Sequence, residues 1–95
     1  MIDLDVKYIN FIKKTISSYL KEYKLFIFGS RVNGNARKYS DIDIAIESDK
    51  LTPAIKSQIE LDFENSTLPY EVDVIDLNNI SNDFKNLIKN TLIEI

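Results

Sequence analysis

The chain has 95 residues, of which 44% are apolar, and it contains neither cysteine nor histidine. This length predicts a single domain over residues 1–95, with enough apolar residues for a small core. The missing residue types exclude disulfide scaffolds, thiolate or imidazole zinc sites, and catalysis by Ser-His or Cys-His pairs. Any catalysis must therefore rest on carboxylates, hydroxyls, amines and a hard metal ion.

The formal net charge at pH 7 is -3, from 12 basic and 15 acidic residues. General attraction to nucleic acids is therefore not expected. No apolar run approaches the roughly 18 residues that a membrane span needs, and the N-terminus lacks the apolar region of a signal peptide. Because the chain also lacks cysteine, we expect a cytoplasmic protein with no membrane partner.

The first half of the chain predicts a helix followed by two strands. Apolar residues recur at helical spacing over residues 4–23, which indicates an amphipathic helix. The apolar run at residues 25–28 predicts a buried strand that ends at Gly29. The polar segment 30–40 predicts a short helical turn and then a loop. Isoleucine then alternates with other residues through 41–47, which is typical of a strand with one face on a core.

The second half predicts a helix, a strand and a final helix. Residues 52–65 begin with a threonine N-cap and a first-turn proline, which favour a helix. Residues 71–77 alternate like the preceding strand, and the apolar spacing over residues 84–95 predicts a last helix. We therefore expect an α/β (α+β) fold in two layers, with a three-stranded sheet and helices packed mainly on one face. Part of the last apolar stripe is alternatively a partner interface.

Three aspartates fall on the predicted strand faces that turn away from the core. Asp41 and Asp43 point to the same side with their Cα atoms about 6.5 to 7 Å apart, and Asp73 joins them if the two strands are neighbours. Converging carboxylates repel each other unless positive charge lies among them. A pair of Mg²⁺ ions supplies such charge and clamps both oxygens of an in-line phosphoryl displacement. The aspartates therefore indicate a two-metal site.

Gly29 and Ser30 follow the first predicted strand directly. A glycine at the end of a strand allows the backbone to approach a ligand, and serine offers its hydroxyl and N–H to phosphate oxygens. The helical turn that follows adds the positive end of its dipole. We interpret this turn as a triphosphate-binding element facing the metal ligands.

Each feature has a simpler explanation when it is taken alone. The glycine-serine turn would be an ordinary end of a strand, and the paired aspartates would be an exposed strand face. Their joint occurrence with Asp73 favours a site, although Glu71 shares the predicted face of Asp73. An EF-hand loop and a Walker A loop do not match the pattern. A glycosidase carboxylate pair would leave the glycine-serine turn unexplained.

In chain order, Gly29-Ser30, Gly34 and Ser40-Asp41-Ile42-Asp43 resemble the signature of the DNA polymerase β-like nucleotidyltransferase superfamily. The short chain is similar to the minimal nucleotidyltransferase (MNT) branch of that superfamily. The likeness covers residues 25–77, where residues 71–74 resemble the strand that carries the third carboxylate. The resemblance implies a mixed sheet flanked by helices.

The resemblance also implies roles for the site residues. Asp41 and Asp43 are then ligands of both Mg²⁺ ions, while Asp73 is a ligand of the catalytic ion and the base for the incoming hydroxyl. ATP is the implied nucleotide, with its β and γ phosphates on the glycine-serine turn and pyrophosphate as the leaving group. The implied nucleotide-binding residues are Gly29, Ser30, Arg31 and Ser40.

MNT proteins are commonly antitoxins of HEPN-type ribonuclease toxins, and some transfer AMP from ATP to a tyrosine of the toxin. The resemblance therefore implies a Mg²⁺-dependent adenylyltransferase with a HEPN-type toxin as partner. One alternative is a non-catalytic antitoxin that inhibits by occlusion, and another is transfer to a small molecule or an RNA end. The chain departs from the family where an arginine often precedes the second glycine, because Asn33 stands there, with Arg31 or Arg37 as substitutes.

Overall fold

A computed structural model gives the structure of residues 2–37 and 39–95. Its strands are β1 (Lys24–Phe28), β2 (Ile42–Glu47), β3 (Val72–Asp76) and β4 (Ile93–Glu94). Its helices are α1 (Val6–Ser17), α2 (Ser30–Asn33), α3 (Pro53–Glu64) and α4 (Asn82–Ile88), and a 3₁₀ turn covers Leu77–Asn79. Within the ranges described, no helix has the length and apolar character that crossing a membrane requires.

The strands form one mixed sheet in the order β3-β2-β1-β4. β1 runs antiparallel to both β2 and β4, whereas β2 and β3 are parallel and are connected through α3. A parallel pair needs such a crossover, because a tight turn only joins antiparallel strands. The predicted α/β fold with a mixed sheet is confirmed, and β4 adds a fourth strand to the three that were expected.

The prediction of a final helix over residues 84–95 is wrong at its C-terminal end, because α4 ends at Ile88. The backbone N–H and the hydroxyl of Thr91 both donate to the carbonyl oxygen of Ile88, each at 2.8 Å. Residues 93–94 then pair with residues 26–27 of β1. An unpaired edge of β1 would expose a row of backbone donors and acceptors, and β4 covers part of it.

The main core lies between one face of the sheet and helices α1 and α3. Isoleucines of β1 and β2 are fully buried there, as the alternating pattern predicts. The helices contribute Ile12 and Ile16 from α1, and Ile59 and Phe63 from α3. This core fixes the strands whose opposite face carries the aspartates.

The face of the sheet that carries the aspartates is partly covered by apolar side chains, although the helices were expected to pack mainly on the other face. Phe28 and Ala45 pack there against Leu77 and against Ile88 of α4. Side chains alternate along a strand, so Ala45 shares its face with Asp43. The face is therefore apolar and covered along part of its length, and it carries carboxylates where β2 and β3 begin.

Candidate active site

Asp43 and Asp73 are register partners on the neighbouring parallel strands β2 and β3. Asp43 is also the register partner of Phe28, the last residue of β1. The C-terminal end of β1 and the N-terminal ends of β2 and β3 therefore meet at one end of the sheet, and we call this row of strand ends the site edge. The structure thus brings Asp73, thirty residues away in the chain, beside the paired aspartates.

The charges of the three aspartates interact at this edge. Burial is the main factor that raises the pKa of Asp43 from 3.8 to about 6. The negative charges of Asp73 and Asp41 add to this rise, and so does a side-chain hydrogen bond with Asp73. Asp41 and Asp73 are both exposed, and Asp43 is half-buried between them. The edge is a locally anionic surface, to which a cation is attracted.

Gly29 lies directly against Asp43. It has φ 79° and ψ -150°, a backbone conformation that residues with a side chain rarely adopt. A Cβ atom at this position would clash with Oδ2 of Asp43 and would lie 3.2 Å from its Cγ. The positive φ and the close approach to Asp43 both favour glycine at this position. The missing side chain leaves the backbone accessible next to a carboxylate.

Ser30 begins the four-residue helix α2 immediately after this glycine. The backbone N–H groups of Val32 and Asn33 donate to the carbonyl oxygen of Gly29, at 3.0 and 3.1 Å. Gly34 ends α2 in the left-handed conformation with φ 83°. The predicted helical turn is confirmed, and it holds the half-buried Ser30 at the same edge as Asp43.

Ser40 closes the loop that leads from α2 to β2. Its hydroxyl oxygen accepts from the backbone N–H of Arg37 at 2.7 Å, and its own N–H donates to the carbonyl oxygen of Arg37 at 3.1 Å. This turn fixes the entry into Asp41 on the following residue. A contact between Ser40 and a nucleotide stays a prediction, as does a phosphate contact by the exposed Arg37.

Arg31 is buried, with 5% of its side-chain and backbone surface exposed. Its guanidinium donates to the carbonyl oxygens of Asp3 at 3.0 Å and Ser40 at 2.7 Å. It also lies over the ring of Tyr70, 4.5 Å from the ring centroid. Nucleotide binding by Arg31 stays a prediction, while these contacts serve the protein itself. Nothing in the sequence pattern pointed to Tyr70 or to the segment around Asp3.

A cleft of about 550 Å³ opens beside Asp73, between the end of α3 and the beginning of β3. Its lining includes the carboxylates of Glu60, Glu64 and Glu71 as well as Asp73. Phe63, Leu68, Pro69, Tyr70 and Val72 complete it. The third aspartate is therefore reached from solvent through a cleft of its own.

Gly29→Ala is expected to abolish any activity that needs Asp43 while leaving the chain folded. The added methyl must displace the Asp43 carboxylate, and alanine is strained at this positive φ, which costs on the order of 1 kcal/mol. Gly34→Ala is the matched control, since Gly34 has a similar φ but a methyl group there would meet no atom within 4 Å. Equal loss of nucleotide binding in both variants would contradict the assignment of Gly29.

The residues at this edge suit a hard cation by their chemistry. Within residues 2–37 and 39–95, no three acidic side chains stand close enough together to hold a metal ion as they are arranged. The available ligands are nevertheless all carboxylate oxygens, which Mg²⁺ prefers. Burial first, and then the negative charges of Asp73 and Asp41, raise the pKa of Asp43. A cation at Asp41, Asp43 and Asp73 would offset the repulsion among these charges.

Comparisons with known proteins agree with this geometry. The family described as "Polymerase beta, Nucleotidyltransferase" matches residues 10–95. A Haemophilus influenzae protein named "Probable protein adenylyltransferase MntA" is 33% identical over 95 residues, covering 99% of this chain and 83% of that protein.

Solved structures share the fold. A chain of a toxin-antitoxin crystal structure with AMP-PNP superposes with a TM-score of 0.75 at 24% identity, over 90% of this chain and 69% of that one. A chain from tri-AMPylated Shewanella oneidensis HEPN toxin in complex with MNT antitoxin gives 0.67 at 23% identity, over 90% and 66%. The family match and the Haemophilus relative confirm the resemblance that the motifs carried, and this chain belongs to the polymerase β nucleotidyltransferase family.

Proposed function

We propose that this protein is a Mg²⁺-dependent adenylyltransferase that transfers AMP from ATP to a tyrosine hydroxyl of a HEPN-type toxin. It thereby acts as the antitoxin, in the cytoplasm, with residues 1–95 as one catalytic domain. The observation that carries the proposal is the pairing of Asp43 with Asp73 beside Gly29. The name of the Haemophilus relative supports a protein acceptor, and the solved complexes support a HEPN toxin as that acceptor.

Asp41, Asp43 and Asp73 are the residues that would hold two Mg²⁺ ions. When bound, Mg²⁺ supplies positive charge that offsets the repulsion among the carboxylates and the charge that develops on the phosphates. Asp43 and Asp73 lie on two parallel strands anchored by the main core and Asp41 directly precedes β2, so their backbones need little rearrangement. Their side chains have to close around the ions, because the three are not grouped for metal binding as they stand.

The nucleotide is held by the turn that lies beside Asp43. Gly29 has no side chain, so its backbone can lie close to the phosphates, and Ser30 adds a hydroxyl and an N–H. Ser40 directly precedes Asp41 in the chain and could add its hydroxyl. These residues bind and orient the triphosphate, which is the larger part of catalysis in phosphoryl transfer.

The transfer step exchanges one phosphorus-oxygen bond for another. The acceptor hydroxyl oxygen attacks the α phosphorus of ATP, and the bond from that phosphorus to the bridging oxygen breaks, so pyrophosphate leaves. In this proposal Asp73 takes the hydroxyl proton, and its exposure and its position in the lining of the cleft beside β3 support that role. That cleft is open to solvent, which suits a hydroxyl presented on the surface of another protein.

The position of the label in ATP tests this reaction. The HEPN-type partner, identified from the neighbouring reading frame, is incubated with this protein, Mg²⁺ and ATP labelled at either the α or the γ phosphorus. We expect label on the partner from α-labelled ATP alone, and none when Asp41 and Asp43 are both changed to asparagine. Label from the γ position would indicate phosphoryl transfer instead. An inhibited but unlabelled partner would favour inhibition by occlusion. Label on RNA or on a small molecule would identify that molecule, and not the partner protein, as the acceptor.

A further inference from the structure

We infer that Arg31 is a positioning residue that sets the geometry between the glycine-serine turn and the aspartates, and that it does not bind the nucleotide phosphates. The inference rests on the proposed function for its kinetic consequence. The contacts that carry it are independent of any ligand.

The guanidinium of Arg31 joins three separate segments of the chain. One terminal nitrogen donates to the carbonyl oxygen of Ser40 at 2.7 Å, and the other donates to that of Asp3 at 3.0 Å. The Cζ atom of the group lies over the ring of Tyr70, 4.5 Å from its centroid. The backbone carbonyl of Arg31 accepts from the N–H of Asp3 at 2.7 Å. Both ends of this residue are therefore committed to the protein, and we call these contacts the Arg31 clamp.

Arg31 itself and two of the three segments that it contacts lead directly into the site. Arg31 is the second residue of α2, next to Ser30, and Ser40 directly precedes Asp41. Tyr70 lies three residues before Asp73, and the ring of Tyr8 packs edge-on against it at 5.4 Å. One side chain thus holds the turn, the first aspartate and the approach to β3 in a fixed relation.

The energetics of this burial favour a positioning role over a simple stabilising one. The positive charge of Arg31 faces carbonyl oxygens and an aromatic ring. In the described part of the chain the single ion pair is Lys56–Glu60 on α3, so no carboxylate pairs with Arg31 there. The Nε atom of Arg31 is buried without a hydrogen-bond partner among the described residues. A buried cation of this kind gives little net stability compared with an apolar side chain of similar size.

Direct phosphate binding makes a different demand on the same side chain. A buried guanidinium whose two terminal nitrogens already donate to carbonyl oxygens would have to leave Ser40 and Tyr70 to reach a nucleotide. A side chain that binds phosphate contributes its positive charge, and lysine also binds phosphate as a point charge. The Arg31 clamp needs a planar group with two diverging donors, which lysine cannot replace.

Arg31→Lys and Arg31→Gln separate these roles in steady-state transfer assays with the partner protein. We expect both variants to lower kcat by about 10- to 100-fold, since small displacements of catalytic groups have effects of this size. The KM for ATP should stay within about twofold. Lys24→Gln is the control, because Lys24 is exposed at the far end of β1 and should behave as the wild type. A higher KM in Arg31→Gln that Arg31→Lys restores would overturn the inference in favour of phosphate binding, and unchanged kcat in both would also overturn it.

Amide hydrogen exchange tests the Arg31 clamp without any activity. The Ile42 N–H donates to the Glu71 carbonyl oxygen at 2.9 Å, directly after the segment that Arg31 holds. We expect its exchange to be about tenfold faster in Arg31→Lys, while exchange in the centre of β2 is unchanged. If the wild type transfers no AMP, the proposed function fails but this measurement still decides the clamp. If the arginine variants do not fold, Tyr70→Leu removes only the stacked ring and should lower kcat and speed Ile42 exchange in the same direction, and no change in either would overturn the inference.

Discussion

Replacing Asp43 by asparagine is expected to lower AMP transfer by about 10³-fold, because loss of one fixed charge or donor in a preorganised site has effects approaching this size. Asparagine keeps the shape of the side chain and removes the charge that would hold Mg²⁺. Asp43 is the most central of the three aspartates, since it touches Gly29 and is the register partner of Asp73. Initial rates of partner labelling measure the effect.

Asp76→Asn is the matched control for this loss. Asp76 lies on the same strand as Asp73, but its side chain caps the 3₁₀ turn by accepting from the N–H of Asn78 at 3.0 Å. An asparagine keeps that acceptor, so transfer should stay within about twofold of the wild type. Comparable activity losses in both variants would mean that activity depends on the overall negative charge of this region and not on the position of Asp43.

The same Asp43→Asn change is expected to stabilise the metal-free protein at neutral pH. Burial, the charges of Asp73 and Asp41 and the hydrogen bond with Asp73 raise the pKa of Asp43 from 3.8 to about 6. The stability linked to its proton is present below pH 3.8 and is lost as the pH rises through about 6. The full shift would correspond to about 3 kcal/mol. Because Asp43 is partly exposed, solvent screening reduces the expected gain at pH 7 to about 1 kcal/mol.

Urea unfolding of the two proteins at several pH values measures this gain. The variant should be the more stable protein at about pH 7.5, and the difference should shrink as the pH falls toward about 4. Saturating Mg²⁺ should also reduce the difference in stability between the two proteins, because it stabilises the wild type alone. Asp41→Asn serves as the control, since Asp41 is exposed and should lose activity with little gain in stability. A stability difference that does not change with pH would contradict the assigned cause.

The sequence predicted most of the site because its features are local. The glycine-serine turn follows a run of buried residues, and the period of two around Asp43 assigns a face to every side chain of β2. The alternation around Asp73 did the same for β3. Only the pairing of these two strands is non-local, and the structure supplies it through the register of Asp43 with Asp73.

The C-terminal segment shows where pattern reasoning failed. The apolar spacing after Ser81 suits a helix, and α4 does begin there, with the Ser81 hydroxyl accepting from the N–H of Phe84. Its continuation was wrong, because isoleucines at 93 and 95 equally suit a strand and the edge of β1 offers backbone partners. Whether a short apolar stretch becomes helix or strand then depends on tertiary contacts that local sequence does not contain.

Arg31 and the second apolar cluster depend on such contacts as well. An arginine after a glycine-serine turn suggests phosphate binding, and only the structure reveals Tyr70 beneath it. Likewise, Ala45 interrupts the acidic face of β2 without showing that α4 covers it. Both cases are contacts between residues distant in sequence, and the periodicity of a single sequence does not predict such contacts.

The intact mass of the HEPN-type partner tests the central claim most directly. The partner is purified after incubation with this protein, ATP and Mg²⁺, and is compared with partner treated with Asp43→Asn. We predict added mass equal to one AMP, or a whole multiple of it, with the wild type and an unchanged mass with the variant. An unchanged partner mass with the wild type, together with full inhibition of the toxin, would contradict the catalytic account.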